Sequence, residues 1–155
     1  MPSTPKNILL SNSLKETEKI ARQLARSVAA KRGERASVIA LSGNLGTGKT
    51  SFTKAFLRSL GVKETVSSPT FVLSREYVLS SGKHKKAYHI DIYRLTEKEA
   101  RVLELKRIFK EKNAIVLIEW AEKIKKLIPK RAIWIYFRHG RTKEHRLINI
   151  YPGSY

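Results

Sequence analysis

Val38-Ile39-Ala40-Leu41-Ser42-Gly43-Asn44-Leu45-Gly46-Thr47-Gly48-Lys49-Thr50-Ser51-Phe52 decides how this chain is read. Residues 43–50 are a full match to G-x-x-x-x-G-K-[ST], the phosphate-cradling loop of nucleoside triphosphatases. The glycines let the backbone curl so that successive N–H groups point at phosphate oxygens. Lys49 then brings a positive charge to the β- and γ-phosphates, and the Thr50 hydroxyl can ligate Mg²⁺. Asn44, Leu45, Thr47 and Ser51 complete the candidate nucleotide contacts with Gly43, Gly46 and Gly48. The apolar run 38–41 reads as a buried strand, and Phe52, Phe56 and Leu60 follow at helical spacing up to Gly61. Strand, loop and helix is the context the motif requires.

Working outward, residues 7–10 form a short strand candidate, and Ser13 with Glu16 is an S-x-x-E helix start. The helix it opens puts Ile20, Leu24 and Val28 on one face, with Ala21 and Ala25 beside them, and ends near Gly33. Beyond Gly61, Ser68-Pro69-Thr70-Phe71 begins an extended stretch, because the residue before proline avoids the helical region. Strands are expected at 71–79 and 87–91, joined by the turn at 80–83. Thr96 with Glu99 starts a helix that should run to about Phe109. The apolar run 114–118 suits a parallel strand buried on both faces, and it ends at Glu119-Trp120. A short helix near 121–127 and an antiparallel hairpin of 132–137 with 146–151 close the reading. The expected fold is α/β: a three-layer P-loop NTPase-type fold with a mixed parallel and antiparallel sheet, forming one ATPase domain over residues 1–155.

Composition fits that reading. At 155 residues and 41% hydrophobic, the chain is long enough to bury a core and is not of disordered composition. It has no cysteine, so neither disulfides nor thiolate metal sites enter the argument. No apolar run approaches a membrane span, and a cytoplasmic location is expected. The net charge of +19 is large. It reads either as attraction to a polyanion such as RNA or as a solvated lysine-rich surface, and no aromatic–basic recognition motif in the sequence decides between them.

Phosphoryl transfer needs positioned charge beyond the loop. Glu119, at the end of a buried aliphatic strand, is the candidate Mg²⁺ organiser, since a carboxylate there is costly without a partner or ion. Strand alternation in His89-Ile90-Asp91-Ile92-Tyr93-Arg94 puts His89, Asp91 and Tyr93 on one face, able to surround a water. His89 reads as a structural hydrogen-bonder that can also orient Asp91. Arg94 is open between neutralising transition-state charge and a surface ion pair. Thr70, on its proline-stiffened loop, can sense a γ-phosphate as switch segments do, or can simply make a turn.

The motifs GNLGTGKT at 43–50, SPTF at 68–71, HIDIYRL at 89–95 and IEW at 118–120 resemble the TsaE (YjeE) family in order and rough spacing. The flanking first helix and final hairpin extend the resemblance over nearly the whole chain. It implies a small, Mg²⁺-dependent P-loop ATPase of bacterial tRNA threonylcarbamoyladenosine synthesis, weakly active alone. It also implies TsaD and TsaB as protein partners, whose turnover ATP hydrolysis supports. Carried over by position, the resemblance gives Lys49 the phosphates and Thr50 and Glu119 the Mg²⁺. Asp91 takes the acid needed for hydrolysis, Thr70 the switch-like loop, and Trp120 the pocket wall. Ser13 and Thr17 would lie near the nucleotide base, and Arg141, in the late Gly-Arg pair, beside the nucleotide. One departure is Leu103-Glu104, where the family commonly has Leu-Gly. The unusual basicity adds the expectation that tRNA is contacted within the assembled complex. From the loop alone two alternatives stay open: a small P-loop kinase acting on a small-molecule or nucleoside acceptor, and a basic RNA-binding module that keeps a nucleotide for structure.

Overall fold

The computed structural model describes residues 7–31, 33–67, 74–80, 82–100 and 104–153. Seven strands form one sheet: β1 (Asn7–Ser11), β2 (Ser37–Gly43), β3 (Ser74–Val78), β4 (Lys86–Asp91), β5 (Ala114–Glu119), β6 (Ile133–His139) and β7 (Arg146–Tyr151). Their spatial order is β1-β7-β6-β2-β5-β4-β3. β2 lies between β5 and β6 and is parallel to both, and β4 is parallel to β5. The pairs β3–β4, β6–β7 and β1–β7 are antiparallel, so the sheet is mixed as expected. Gly43, Asp91, Glu119 and His139 end the four mutually parallel strands on the same edge of the sheet, and such an edge is where ligands bind in α/β folds.

Helices cover both faces. On one side α1 (Leu14–Ala30) and α2 (Lys49–Ser59) pack together. Thr17, Ala21, Ala25 and Val28 form the buried stripe of α1, so the small residues face inward while Ile20 and Leu24 are only partly buried. Phe52 and Phe56 of α2 meet Ile39, Leu41, Leu117 and Phe137 of the sheet, and the Phe52 and Phe137 rings lie edge to face at 5.4 Å. On the other side α3 (Glu97–Ala100), α4 (Leu105–Ile108) and a 3₁₀ turn (Ala121–Ile124) are present. Leu105, Ile108 and Ile124 pack there on Val38, Ala40, Ile90, Val116 and Ile118. Residues of β5 point alternately into the two cores, which explains its uninterrupted apolar run.

Two local expectations change. The helix from Thr96 to Phe109 is not continuous among the described residues. The Thr96–Glu99 capping box forms, with Glu99 Oε2 accepting from Thr96 N at 2.7 Å and Glu99 N donating to Thr96 Oγ1 at 3.3 Å. Glu104 then has φ −48° and ψ 39°, outside the helical region, and α4 starts afresh behind it. The helix expected near 121–127 is one short 3₁₀ turn, entered from β5 through Trp120 in a left-handed conformation. The strand expected at 71–79 is described from Ser74, and Ser68-Pro69-Thr70-Phe71 lies outside the described residues.

Candidate functional site

The loop 43–50 leaves β2 through Gly43 and enters α2 through Gly48. Gly43 has φ +148°, and a Cβ there would lie 2.5 Å from the Phe137 carbonyl oxygen of β6. Gly48, the residue before α2, has φ +98°, a left-handed conformation that suits glycine. Between them Asn44 O accepts from Thr47 Oγ1 at 2.7 Å and from Thr47 N at 3.3 Å, which closes the curl. Side chains at 46 and 48 would meet nothing within 4 Å, so the cradle faces open space.

Lys49 is the first residue of α2 and is only 4% exposed. Its ammonium donates to the carbonyl oxygens of Gly43 and, at 2.9 Å, of Asn44. It also sits 4.0 Å from the centre of the Trp120 ring, a cation–π contact. Burial pushes its pKa below the ordinary lysine value, and the negative charges of Glu119, Glu122 and Asp91 oppose that shift. Trp120 reaches this position through a strained backbone at φ 59°, rare for a bulky residue and costing about 1–3 kcal/mol. Its ring also packs on Tyr93, centroid to centroid 4.8 Å. Such an outlier beside a buried lysine is what makes this corner of the sheet a candidate functional site.

Thr50 Oγ1 donates to Glu119 Oε2 at 2.8 Å, joining the start of α2 to the end of β5. Glu119 is 2% exposed, and its other oxygen, Oε1, lies 2.8 Å from His89 Nε2. Asp91 is the in-register neighbour of Glu119 on β4 and is also buried, with Oδ1 accepting from Tyr93 N at 2.9 Å. Leu45, Gly46, Gly48, Lys49, Thr50, Ser51, Asp91, Tyr93, Glu119 and Trp120 line one cleft of about 360 Å³. A hydroxyl and a carboxylate are the hard oxygen donors Mg²⁺ prefers, and Mg²⁺ is commonly held by one or two carboxylates together with substrate phosphates. The Thr50–Glu119 pair therefore fits that ion. A second cavity of about 310 Å³ at the opposite edge of the sheet touches Val28, Ala36, Val38 and Ile133. It is more apolar and has neither the curled loop nor a hydroxyl–carboxylate pair, so the first cleft is the candidate site.

The structure thus brings together Lys49, Thr50, Asp91, Glu119 and Trp120 from three separate stretches of chain. His89 is a structural hydrogen-bonder as the sequence reading has it, and its ring bonds Glu119. Ser13 and Thr17 are engaged in the start of α1. Ser13 Oγ accepts from Glu16 N at 3.3 Å, and the buried Thr17 hydroxyl lies 2.8 Å from Ser11 Oγ. Glu16 Oε2 accepts from Asn12 N at 2.7 Å, so the capping carboxylate reaches one residue further back than expected. Arg141 and Arg94 are exposed, the former in the β6–β7 turn. The guanidinium that does reach the loop is Arg146, donating to Gly46 O at 3.1 Å, while His139 Nε2 lies 3.4 Å from Leu45 O. Neither was legible beforehand, because the contact depends on the hairpin standing beside β2. Thr70 lies outside the described residues.

With this geometry in place, comparison with known proteins gives one consistent answer. The family model described as "Threonylcarbamoyl adenosine biosynthesis protein TsaE" matches residues 11–148. A Bacillus subtilis protein named tRNA threonylcarbamoyladenosine biosynthesis protein TsaE is 36% identical over 132 residues, covering 85% of this chain and 77% of that protein. A Haemophilus influenzae protein of the same name is 35% identical over 114 residues, 72% of this chain and 70% of its own length. Among solved structures, that of Bacillus subtilis YdiB superimposes with a TM-score of 0.75 at 28% identity, covering 97% of this chain and 89% of the other.

Proposed function

The chain belongs to the TsaE family, and from that premise we propose that it binds and hydrolyses Mg²⁺-ATP at the 43–50 loop to serve tRNA threonylcarbamoyladenosine synthesis. The observation that carries the chemistry is the Thr50–Glu119 hydrogen bond beside Asp91, at the mouth of the phosphate loop. The kinase alternative is not favoured, since both relatives described above carry the tRNA-modification name.

In this reading the loop N–H groups and Lys49 bind the β- and γ-phosphates, with Lys49 leaving the Gly43 and Asn44 carbonyls to do so. When bound, Mg²⁺ neutralises phosphate charge, and Thr50 and Glu119 are the residues that hold it. Asp91 positions the attacking water by accepting its hydrogen bond. Its own placement is fixed by the Tyr93 backbone N–H. Trp120 closes the pocket over Lys49 and keeps bulk water from the phosphates. Thr70 is assigned to γ-phosphate sensing on the strength of the family resemblance alone. Hydrolysis is slow in isolation and supports turnover by TsaB and TsaD homologues, with tRNA drawn to the assembled complex by the basic surface. Among the described residues no helix is long and apolar enough to cross a membrane. The tRNA-modification names of the relatives support assigning the work to the cytoplasm.

Steady-state phosphate release, with and without the cognate TsaB–TsaD pair, tests this. The rate should rise with the pair and yield ADP and phosphate with no phosphorylated acceptor. Lys49→Ala should abolish it. Asp91→Ala should lower it about a hundredfold or more while ADP affinity stays near that of the unaltered protein. A rate indifferent to the partners, or equal loss of ADP affinity in both variants, contradicts the assignment.

A further inference from the structure

Both oxygens of the Glu119 carboxylate are engaged, and by different elements. Oε2 faces the Thr50 hydroxyl of α2, and Oε1 faces the His89 ring of β4, each at 2.8 Å. His89 is fully buried. Its register partner on β5 is Leu117, and Glu119 lies two register positions further toward the nucleotide end of the sheet, so the ring leans that way to make this bond. An ionised carboxylate only accepts, so the shared proton is assigned to Nε2, which donates. Among the described residues Nδ1 meets no hydrogen-bond partner, so the Glu119 bond is the ring's one polar anchor. A carboxylate tied to a single hydroxyl is free to swing about its last side-chain bond. A second donor from the neighbouring strand fixes its plane.

We propose that His89 is a positioning residue for the metal site: it locks the Glu119 carboxylate so that Oε2 is presented to Thr50 and to the Mg²⁺ of the nucleotide. The inference rests on the reading of Thr50 and Glu119 as Mg²⁺ holders. Partners that orient a metal-holding carboxylate typically change metal affinity about 10- to 100-fold when removed. A His89 that merely satisfied a buried carboxylate would change stability and leave the metal dependence of binding alone.

The test compares His89→Gln with His89→Asn. Both place an amide on the same face of β4, but only glutamine reaches as far along the side chain as Nε2. ADP is titrated calorimetrically with Mg²⁺ and again with EDTA, and thermal melts verify folding. With EDTA, all three proteins should bind ADP alike, because the loop is untouched. The unaltered protein should bind more tightly with Mg²⁺, His89→Gln should keep that gain within about threefold, and His89→Asn should lose about tenfold or more of it. If His89→Asn does not fold, His89→Phe fills the same space without a donor and carries the same expectation. An undiminished Mg²⁺ gain in the Asn or Phe variant overturns the inference alone, and so does a loss in His89→Gln equal to that in His89→Asn. No Mg²⁺ gain in the unaltered protein overturns the Thr50–Glu119 reading and this inference together.

Discussion

Lys49 shows how the cleft holds a buried charge. A buried ammonium needs acceptors, and the loop supplies its own carbonyls at Gly43 and Asn44 while Trp120 supplies a ring face. These contacts keep the charge tolerable at 4% exposure, yet none is as strong as an ionic phosphate contact. Ser13 makes the opposite case. Its hydroxyl is occupied as the cap of α1, accepting from Glu16 N. Replacing a capping serine with alanine costs about 1 kcal/mol. Ser13→Ala should therefore lower stability in urea by about that amount and leave ADP affinity unchanged. A variant of unaltered stability with weakened ADP binding would instead put Ser13 at the nucleotide.

At the scale of elements, the site depends on how closely β2 and β6 approach at the loop entrance. Gly43 is paired with Phe137, and any Cβ at 43 would press on the Phe137 carbonyl at 2.5 Å. Gly43→Ala should destabilise the protein by about 1–3 kcal/mol, as overpacking does, and should weaken ADP binding because the loop exit shifts. Urea unfolding checks the first part, and stability equal to that of the unaltered protein refutes it. Much of this level was legible from the residues. The loop followed from its motif, α2 from helical spacing, strands 38–41 and β5 from their continuous apolar runs, and the β6–β7 hairpin from two strand candidates around a polar turn. The break before α4 was not, because Glu104 carries no helix-breaking chemistry. The chain turns there so that Leu105 and Ile108 enter the core while Arg107 pairs with Glu104 and Glu111 on the surface. The partner of His89 was hidden for a similar reason. Alternation shows that His89 and Asp91 share a face, but only the sheet order, with β5 beside β4, makes Glu119 the acceptor.

For the whole molecule, the net charge of +19 sets how it meets anions. Some basic side chains are paired on the surface, as in Lys86–Glu76 and Lys112–Glu34. Exposed pairs of this kind are screened by solvent and contribute little, and 13 acidic residues cannot pair 32 basic ones. The remaining positive field favours encounter with anions in general, and it weakens as salt is raised. It does not choose among anions. The proposed site for that choice is one edge of the sheet, where the ends of β2, β4 and β5 gather the curled loop, Lys49, the Thr50–Glu119 pair and Asp91.

Isothermal titration of ADP with Mg²⁺ into the unaltered protein and into Lys49→Ala tests that gathering most directly. One nucleotide should bind per chain, and binding should vanish in Lys49→Ala while that variant stays folded. No heat of binding in the unaltered protein, or the same affinity in both, would contradict the account.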